Sequence, residues 1–506
     1  MNQFLQNENI ENQTALFQIS IFSIATYLSE FFFFLRGFFL ARILGPETFG
    51  LWAQMKLALK VSRHGSLGAN DAMVREVPYL SGKGLSQSAN DVKEATAITN
   101  FALSSIAAIL IVLLIFLLSD HLSHNVRGAW LILAIIFPIR QMLLFVQAML
   151  RAEKRFGQLS LVILSIAFLT SILGIISAFY FDLLGFLVVF ALCHVLVLFT
   201  ILLSRRPFRL PNYRLALSFR LIKTGFPIMV SRFLRVFLYN VDQMIIWLLL
   251  SRSDLGVYSI QTYIFTVIML VPVVVSAVLY PRIMEAFGKT GNLEELSIYL
   301  IQPTLVMGWL SSLVLGVIFL FLHLPFKWLL PEYVLSVTPG RVLLLASFFS
   351  VISNMSMTIH ISLKKEKRLI GITLVSIVLC IVTDIVMIKR GYGLLGVALG
   401  TALGFSFYSY LTIGSATRLL RFSMRRLFSF MALTFTPFLF VLMLLGTIYL
   451  ILPEGDFLWR ADLMNTLIRC VIFLLPMSCL LSAFYIFRKK LLYEIFGIQS
   501  NSNYCS

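Results

Sequence analysis

Three cations recur at helical spacing near the start of the chain. Lys56, Lys60 and Arg63, at offsets of four and seven, fall on one face of any helix that contains them. Their neighbours Trp52, Leu57, Leu59 and Val61 are apolar. A cation at the centre of a bilayer costs at least ~2.5–3.5 kcal/mol, so three on one face should not point at lipid. They call for a wet cavity, an anionic ligand, or both. Arg36 lies upstream, in an apolar run that Gly45-Pro46 breaks. Guanidinium groups offer phosphate a bidentate hydrogen bond and ammonium groups a point charge, so the chemistry on offer is recognition of a phosphate-bearing ligand. The bland alternative is that such side chains snorkel to the interface or set topology.

A second set, Arg232, Arg235, Tyr239 and Asp242, shares a face if one helix runs through all four. A third, Asp242, Asp384 and Thr401, shares a depth in the span plan below. Carboxylate and hydroxyl oxygens there are hard ligands for Na⁺, or carriers of H⁺ at the carboxylates. Glu30 can neutralise a stripe cation or take up a proton, and His64 reads as an interfacial helix-end residue. Substrate binding is therefore expected of Arg36, Lys56, Lys60, Arg63, Arg232 and Arg235. Coupling or gating is expected of Glu30, Asp242, Asp384 and Thr401. No cofactor is expected beyond a coupling cation.

These positions must be held by helices in a bilayer. The 506 residues are 59% hydrophobic and 13% charged, with 46 Phe and a mean hydropathy of +0.92. That is a polytopic all-α membrane protein and not a set of soluble domains. About fourteen spans of roughly 20 residues are expected, near 15–40, 47–69, 96–118, 128–150, 158–180, 183–203, 221–250, 257–281, 298–322, 336–362, 369–388, 394–416, 428–451 and 463–487. The polar start lacks a basic n-region, which predicts a retained first span. Connections on one side carry about 24 of the 41 Lys+Arg and those on the other about 7, so both termini are expected in the cytoplasm. Topology thus accounts for most of the net charge of +18, and nucleic acid is not the expected partner. Arg140, Lys223, Arg341 and Arg469 join the six cations above inside spans. The five Cys have no metal or disulfide spacing. No phosphate loop, Walker motif or nucleophile elbow is present, so ATP is not the energy source within this chain. No outward loop is long enough to be catalytic, as a polymerase or ligase would require.

The chain repeats itself. Met149 to Val162 matches Ser362 to Val375 at an offset of 213, with Glu-Lys-Arg identical (Glu153 to Arg155, Glu366 to Arg368). Phe49 to Ala53 matches Leu255 to Ser259 at 206, and Tyr180 to Phe186 resembles Tyr392 to Ala398. By the 206 offset Arg36 corresponds to Asp242, so equivalent places carry opposite charges. Repeats of six helices keep the same orientation, related by an axis along the membrane normal. The plan is a first lobe at 1–203, a basic linker at 204–220, a second lobe at 221–417, and two extra helices with a tail at 418–506.

A charged first helix, a Leu-Gly-Pro-Glu-x-Phe-Gly turn (Leu44 to Gly50), and an Asp-x-x-x-Ile-x-x-x-Leu helix leading to Leu-Gly-Val-Tyr-Ser (Asp242 to Ser259) occur together. Over the whole chain this resembles the polysaccharide-biosynthesis branch of the multidrug/oligosaccharidyl-lipid/polysaccharide exporter superfamily, the Wzx-type flippases. The resemblance implies two six-helix lobes around a central cavity, working by alternating access. It implies transport of a polyprenyl-pyrophosphate-linked oligosaccharide, an O-antigen, capsule or exopolysaccharide unit, to the outer leaflet of a bacterial inner membrane. It also implies a monomer among membrane lipids that serves a polymerase and a chain-length regulator. Asp242, Asp384 and Thr401 are similar to the sodium site of the lipid-II-flippase branch, where Cys380 stands in place of an Asn. The alternatives are a drug/cation antiporter of the same superfamily, which calls for an acidic cavity, a polytopic O-antigen polymerase or ligase, and a scramblase with no need of the stripe.

Overall fold

The computed structural model describes residues 2–118, 120, 122–203, 215–290, 293, 296–452, 454 and 459–496, without the side chains of 2–20, 485–496 and parts of 274–290. Sixteen α-helices and one short 3-10 helix make up the described residues. Two compact units divide the chain at Ile260. The first contains α1 (Asn2–Ser62), α2 (Ala69–Gly82), α3 (Ser86–Leu117), α4 (His124–Ala152), α5 (Phe156–Leu203), α6 (Leu215–Leu238), α7 (Val241–Leu249) and α8 (Arg252–Ser259). The second contains α9 (Gln261–Thr290), α10 (Ser297–Phe321), α11 (His323–Trp328), the 3-10 turn Pro331–Ser336, α12 (Val337–Ser362), α13 (Glu366–Lys389), α14 (Gly393–Leu419), α15 (Met424–Ile451) and α16 (Trp459–Phe496).

Among the described residues, eleven helical stretches are long and apolar enough to cross a membrane. Two of them, α1 and α5, are each a pair of helices joined at a kink, and α6–α7 lies where the span 221–250 is expected. That accounts for all fourteen expected spans. Helices satisfy their own backbone groups, which hydrocarbon demands. The kink in α1 is at Gly45 (φ 69°, ψ 169°), next to Pro46. That combination is almost confined to glycine, so the Leu-Gly-Pro-Glu sequence turns the chain there for steric reasons.

Two expectations are corrected. The span at 221–250 is not one helix: Tyr239 and Asn240 form a turn, α7 starts at Val241, and the shared face of Arg232, Arg235, Tyr239 and Asp242 is broken there. Asn240 sits at φ −138°, and its side chain donates to the Val236 carbonyl at 2.6 Å, the local competition with helical bonding that Asn favours. By compactness, α6–α8 group with the first unit. The linker residues 204–214 lie outside the described residues.

The second correction concerns the repeat. Lys154 (φ 58°) and Lys364 (φ 54°) close equivalent turns, with the same amide-to-carbonyl pattern from Lys154 to Arg151, Arg155 to Leu150, Lys364 to Ile361 and Lys365 to His360. The backbones therefore match at an offset of 210, and the identical Glu-Lys-Arg triplets are displaced by three residues. Asp182 (φ 54°) and Gly393 (φ 50°) likewise turn both copies through the left-handed region. At 206 the match is direct. A Cβ on Gly50 would lie 2.0 Å from the Arg252 carbonyl oxygen, and one on Gly256 2.0 Å from that of Pro46. Pro46 and Gly50 correspond to Arg252 and Gly256, so the two cognate segments meet reciprocally, as a two-fold contact requires.

In the first unit α1 packs on α5, with the buried Trp52 edge-on to Phe186 at 4.9 Å. In the second, Phe348 of α12 stacks on Phe438 of α15 at 4.4 Å, and α16 docks on α10 where Gly316 admits the Phe473 ring.

Candidate functional site

The kink in α1 divides the cations between two helical segments. The segment before Gly45 carries Glu30 and Arg36, and the segment after it carries Lys56 and Lys60. Arg63 lies just beyond the last helical residue, Ser62, in a run of turns. The stripe therefore runs down one face of the second segment and off its end. Lys56 and Lys60 are half-buried and Arg63 is exposed.

Each cation has a distinct setting. Lys60 Nζ donates to Asn240 Oδ1 at 2.6 Å, tying the stripe to the break between α6 and α7. Lys56 Nζ lies 5.1 Å from the centre of the Phe49 ring, and Arg36 is the like charge acting on it. Arg36 is only 7% exposed. It donates to Thr170 Oγ1 at 2.7 Å and lies 4.8 Å from the Phe33 ring centre. Glu30 lies in the combined field of Arg63, Arg36 and Lys60, where its carboxylate offsets part of their charge.

Arg232 and Arg235 are on α6. Arg235 is half-buried, while Arg232 is hydrogen-bonded to Asp71 in the first turn of α2. Arg232 and Arg151 are the cations acting on Asp71, and Arg63 also acts on Arg151. Asp71, outside the spans, has its carboxyl pushed up by burial, which outweighs the opposing pull of Arg232 and Arg151.

Asp242 is 2% exposed at the start of α7. Its Oδ1 accepts the Gln243 amide at 2.7 Å and its Oδ2 the Tyr258 hydroxyl at 2.8 Å. An acid in the first turn also suits the helix dipole. Tyr258→Phe is expected to remove a hydrogen bond to a buried charge worth about 1.5–3 kcal/mol, read as a lower unfolding midpoint in detergent. An unchanged midpoint would mean the pair contributes nothing.

In the second unit Asp384 and Thr401 are fully buried. A Cβ on Gly400 would lie 2.0 Å from Asp384 Oδ1, and one on Gly404 1.8 Å from Cys380 Sγ. The two glycines let α13 approach α14, and Cys380 is a small packing group in that contact. No cluster of three His, Cys, Asp or Glu suited to a metal exists among the described residues.

Some participants carry little sequence signal. Arg140 Nη1 donates to the Leu59 carbonyl at 2.6 Å and to Ser62 Oγ at 3.0 Å, holding the end of the stripe helix. Asp71 reads as a loop residue by hydropathy, and Asn240 as an ordinary polar position. Only Arg140, a cation in an apolar run, could have been singled out. In the second unit Arg341 and Arg469 both reach one carboxylate, Glu454.

No curated protein matches the chain. Among solved structures it is similar to lipid II flippase MurJ in an inward-closed conformation, at 16% identity and a TM-score of 0.68, covering 93% of this chain and 99% of that one. It is also similar to an inward-facing multidrug resistance MATE family transporter of the MOP superfamily, at 15% identity and 0.65, covering 81% and 99%. A Vibrio cholerae MATE transporter gives 16% and 0.58, covering 81% and 98%. These likenesses establish the fold. The model of the family described as polysaccharide biosynthesis protein matches residues 39–306, just over half of the sequence. This multi-pass membrane protein, with the fold of the MOP exporter superfamily, belongs to the polysaccharide biosynthesis protein family.

Proposed function

We propose that the chain is a flippase, not an enzyme, that moves a polyprenyl-pyrophosphate-linked oligosaccharide between leaflets by alternating access. The carrying observation is the descent of Lys56 and Lys60 along one face of α1 and of Arg63 just past its end, continued by Arg232 and Arg151. A pyrophosphate needs counter-charge to leave water, and these side chains supply forked and single-point donors at successive depths. The polyprenyl tail stays in lipid while the headgroup passes. The positive-inside bias supports an inner-membrane location with both termini in the cytoplasm and export toward the outer leaflet. In that setting a polymerase and a chain-length regulator take the product. A cationic drug would be repelled by the same stripe, which disfavours antiport of the kind that the MATE likeness brings to mind.

The test is a flipping assay in proteoliposomes with a labelled polyprenyl-pyrophosphate glycan. Lys60→Ala and Arg63→Ala are expected to lower the initial rate at least about tenfold, or 1.4 kcal/mol, with near-native melting. Lys83→Ala, in an exposed turn, should leave the rate unchanged. Unaltered flipping by both stripe variants would overturn the reading.

A further inference from the structure

At the end of the first unit where the Lys/Arg-rich turns lie, the Asp71 carboxylate meets the guanidinium of Arg232, in the field of Arg151. Gly68, at φ +93°, starts α2 against α6. A Cβ on Gly225 would fall 1.9 Å from the Gly68 carbonyl oxygen, and one on Gly68 2.3 Å from the Gly225 carbonyl carbon. This backbone contact fixes the first turn of α2, and with it Asp71, beside the α6 face that carries Arg232 two turns beyond Gly225. Arg232 Nη1 is hydrogen-bonded to Asp71 Oδ1, with the two side chains 53% and 15% exposed. Arg151, the last basic residue of α4, acts on Asp71 as well, and Arg63 acts on Arg151. Further along, Arg220 bonds Glu76 at 2.9 Å, so α2 has a second ion pair to hold it on α6. Docking therefore does not depend on Asp71 alone.

We propose that Asp71 is a built-in stand-in for the cargo's phosphate, occupying the entrance guanidiniums until a multiply charged headgroup displaces it. The inference rests on the flippase reading and adds selectivity to it. One carboxylate cannot neutralise both Arg232 and Arg151. A pyrophosphate brings more charge and more acceptor oxygens, each able to take a forked pair of N–H bonds. An ordinary anionic phospholipid brings a single charge and gains little by exchanging with Asp71. The carboxylate thus raises the threshold for occupancy, discriminating against the abundant wrong ligand by competition.

The experiment uses the full chain in phosphatidylcholine nanodiscs, with farnesyl pyrophosphate as probe and phosphatidylglycerol as competing lipid. Asp71→Asn is expected to tighten probe binding about tenfold, the effect of removing a competing like charge. It should also make that binding sensitive to phosphatidylglycerol, while the wild type stays insensitive. Asp71→Ser should behave likewise if the Asn variant folds poorly, and Asp71→Glu should keep wild-type selectivity. A structural docking role would lower the melting point without altering the selectivity between the two anions. Unchanged or weakened probe binding in both neutral variants, with Arg63→Ala still abolishing it, overturns this inference alone. Probe binding unaffected by Arg63→Ala overturns the flippase reading and this inference with it.

Discussion

Gly256→Ala is expected to lower the unfolding midpoint of the purified protein by several degrees, a cost of about 2–3 kcal/mol from overpacking. The added methyl would lie 2.0 Å from the Pro46 carbonyl oxygen and 2.9 Å from the Gly50 nitrogen. Both are backbone atoms, so no rotamer change relieves the clash and α8 must move away from α1. Contacts of this kind depend on small residues, because helices in lipid gain little from burying apolar surface against one another. Gly50→Ala meets the Arg252 carbonyl at the same 2.0 Å and should cost as much. A single separation of the helices accommodates both methyl groups, so the double variant should cost less than the sum. Gly371→Ala and Gly414→Ala, where nothing lies within 4 Å of the added carbon, are the controls and should be neutral or slightly stabilising. A midpoint for Gly256→Ala indistinguishable from theirs would show that the segments do not cross as described.

The reciprocity of that contact was legible in the sequence, because a repeat at offset 206 reports which residues a two-fold axis relates. The number of spans was legible too, since hydropathy averages over twenty residues and is insensitive to where a helix bends. What escaped was finer than that average. The break at Tyr239–Asn240 involves neither Gly nor Pro, so a period-based reading carried Asp242 onto the face of Arg232. The Glu-Lys-Arg identity misplaced the turns by three residues because charge at a loop is under topological selection that tolerates small shifts, whereas the backbone turn is fixed by its hydrogen bonds. The stripe itself was visible because its three members are close in sequence. Asp71 and Asn240 were not, since the side chains they meet are more than a hundred positions away.

The same limit hid Glu454, which carries the second large effect. Its carboxylate lies between Arg341, at 3.1 Å from Nη1, and Arg469, at 3.7 Å from Nη1, and accepts the Tyr449 hydroxyl at 2.7 Å. Arg469 has a side chain only 1% exposed and that of Arg341 is 12% exposed, whereas Glu454 retains about a third of its own exposure. Solvent therefore screens the acid more than the bases, and the cost of losing it falls on the buried guanidiniums. Glu454→Ala leaves them without that counter-charge and is expected to cost about 1.5–3 kcal/mol, the range for a hydrogen bond to a charged group. The pH dependence follows from the same geometry. Burial by itself raises the carboxyl, but hydrogen bonds and charge from Arg341 prevail and hold it at about 2, below the ordinary range near 4.5. A depressed carboxylate stabilises the fold fully above its unfolded value, and that contribution drains as pH falls through the folded one. Melting curves of wild type and Glu454→Gln should therefore lie furthest apart at neutral pH and converge between about 4.5 and 2. A constant gap across that window would mean that Arg341 and Arg469 do not depend on this acid, and the pairing assigned to them would have to be abandoned.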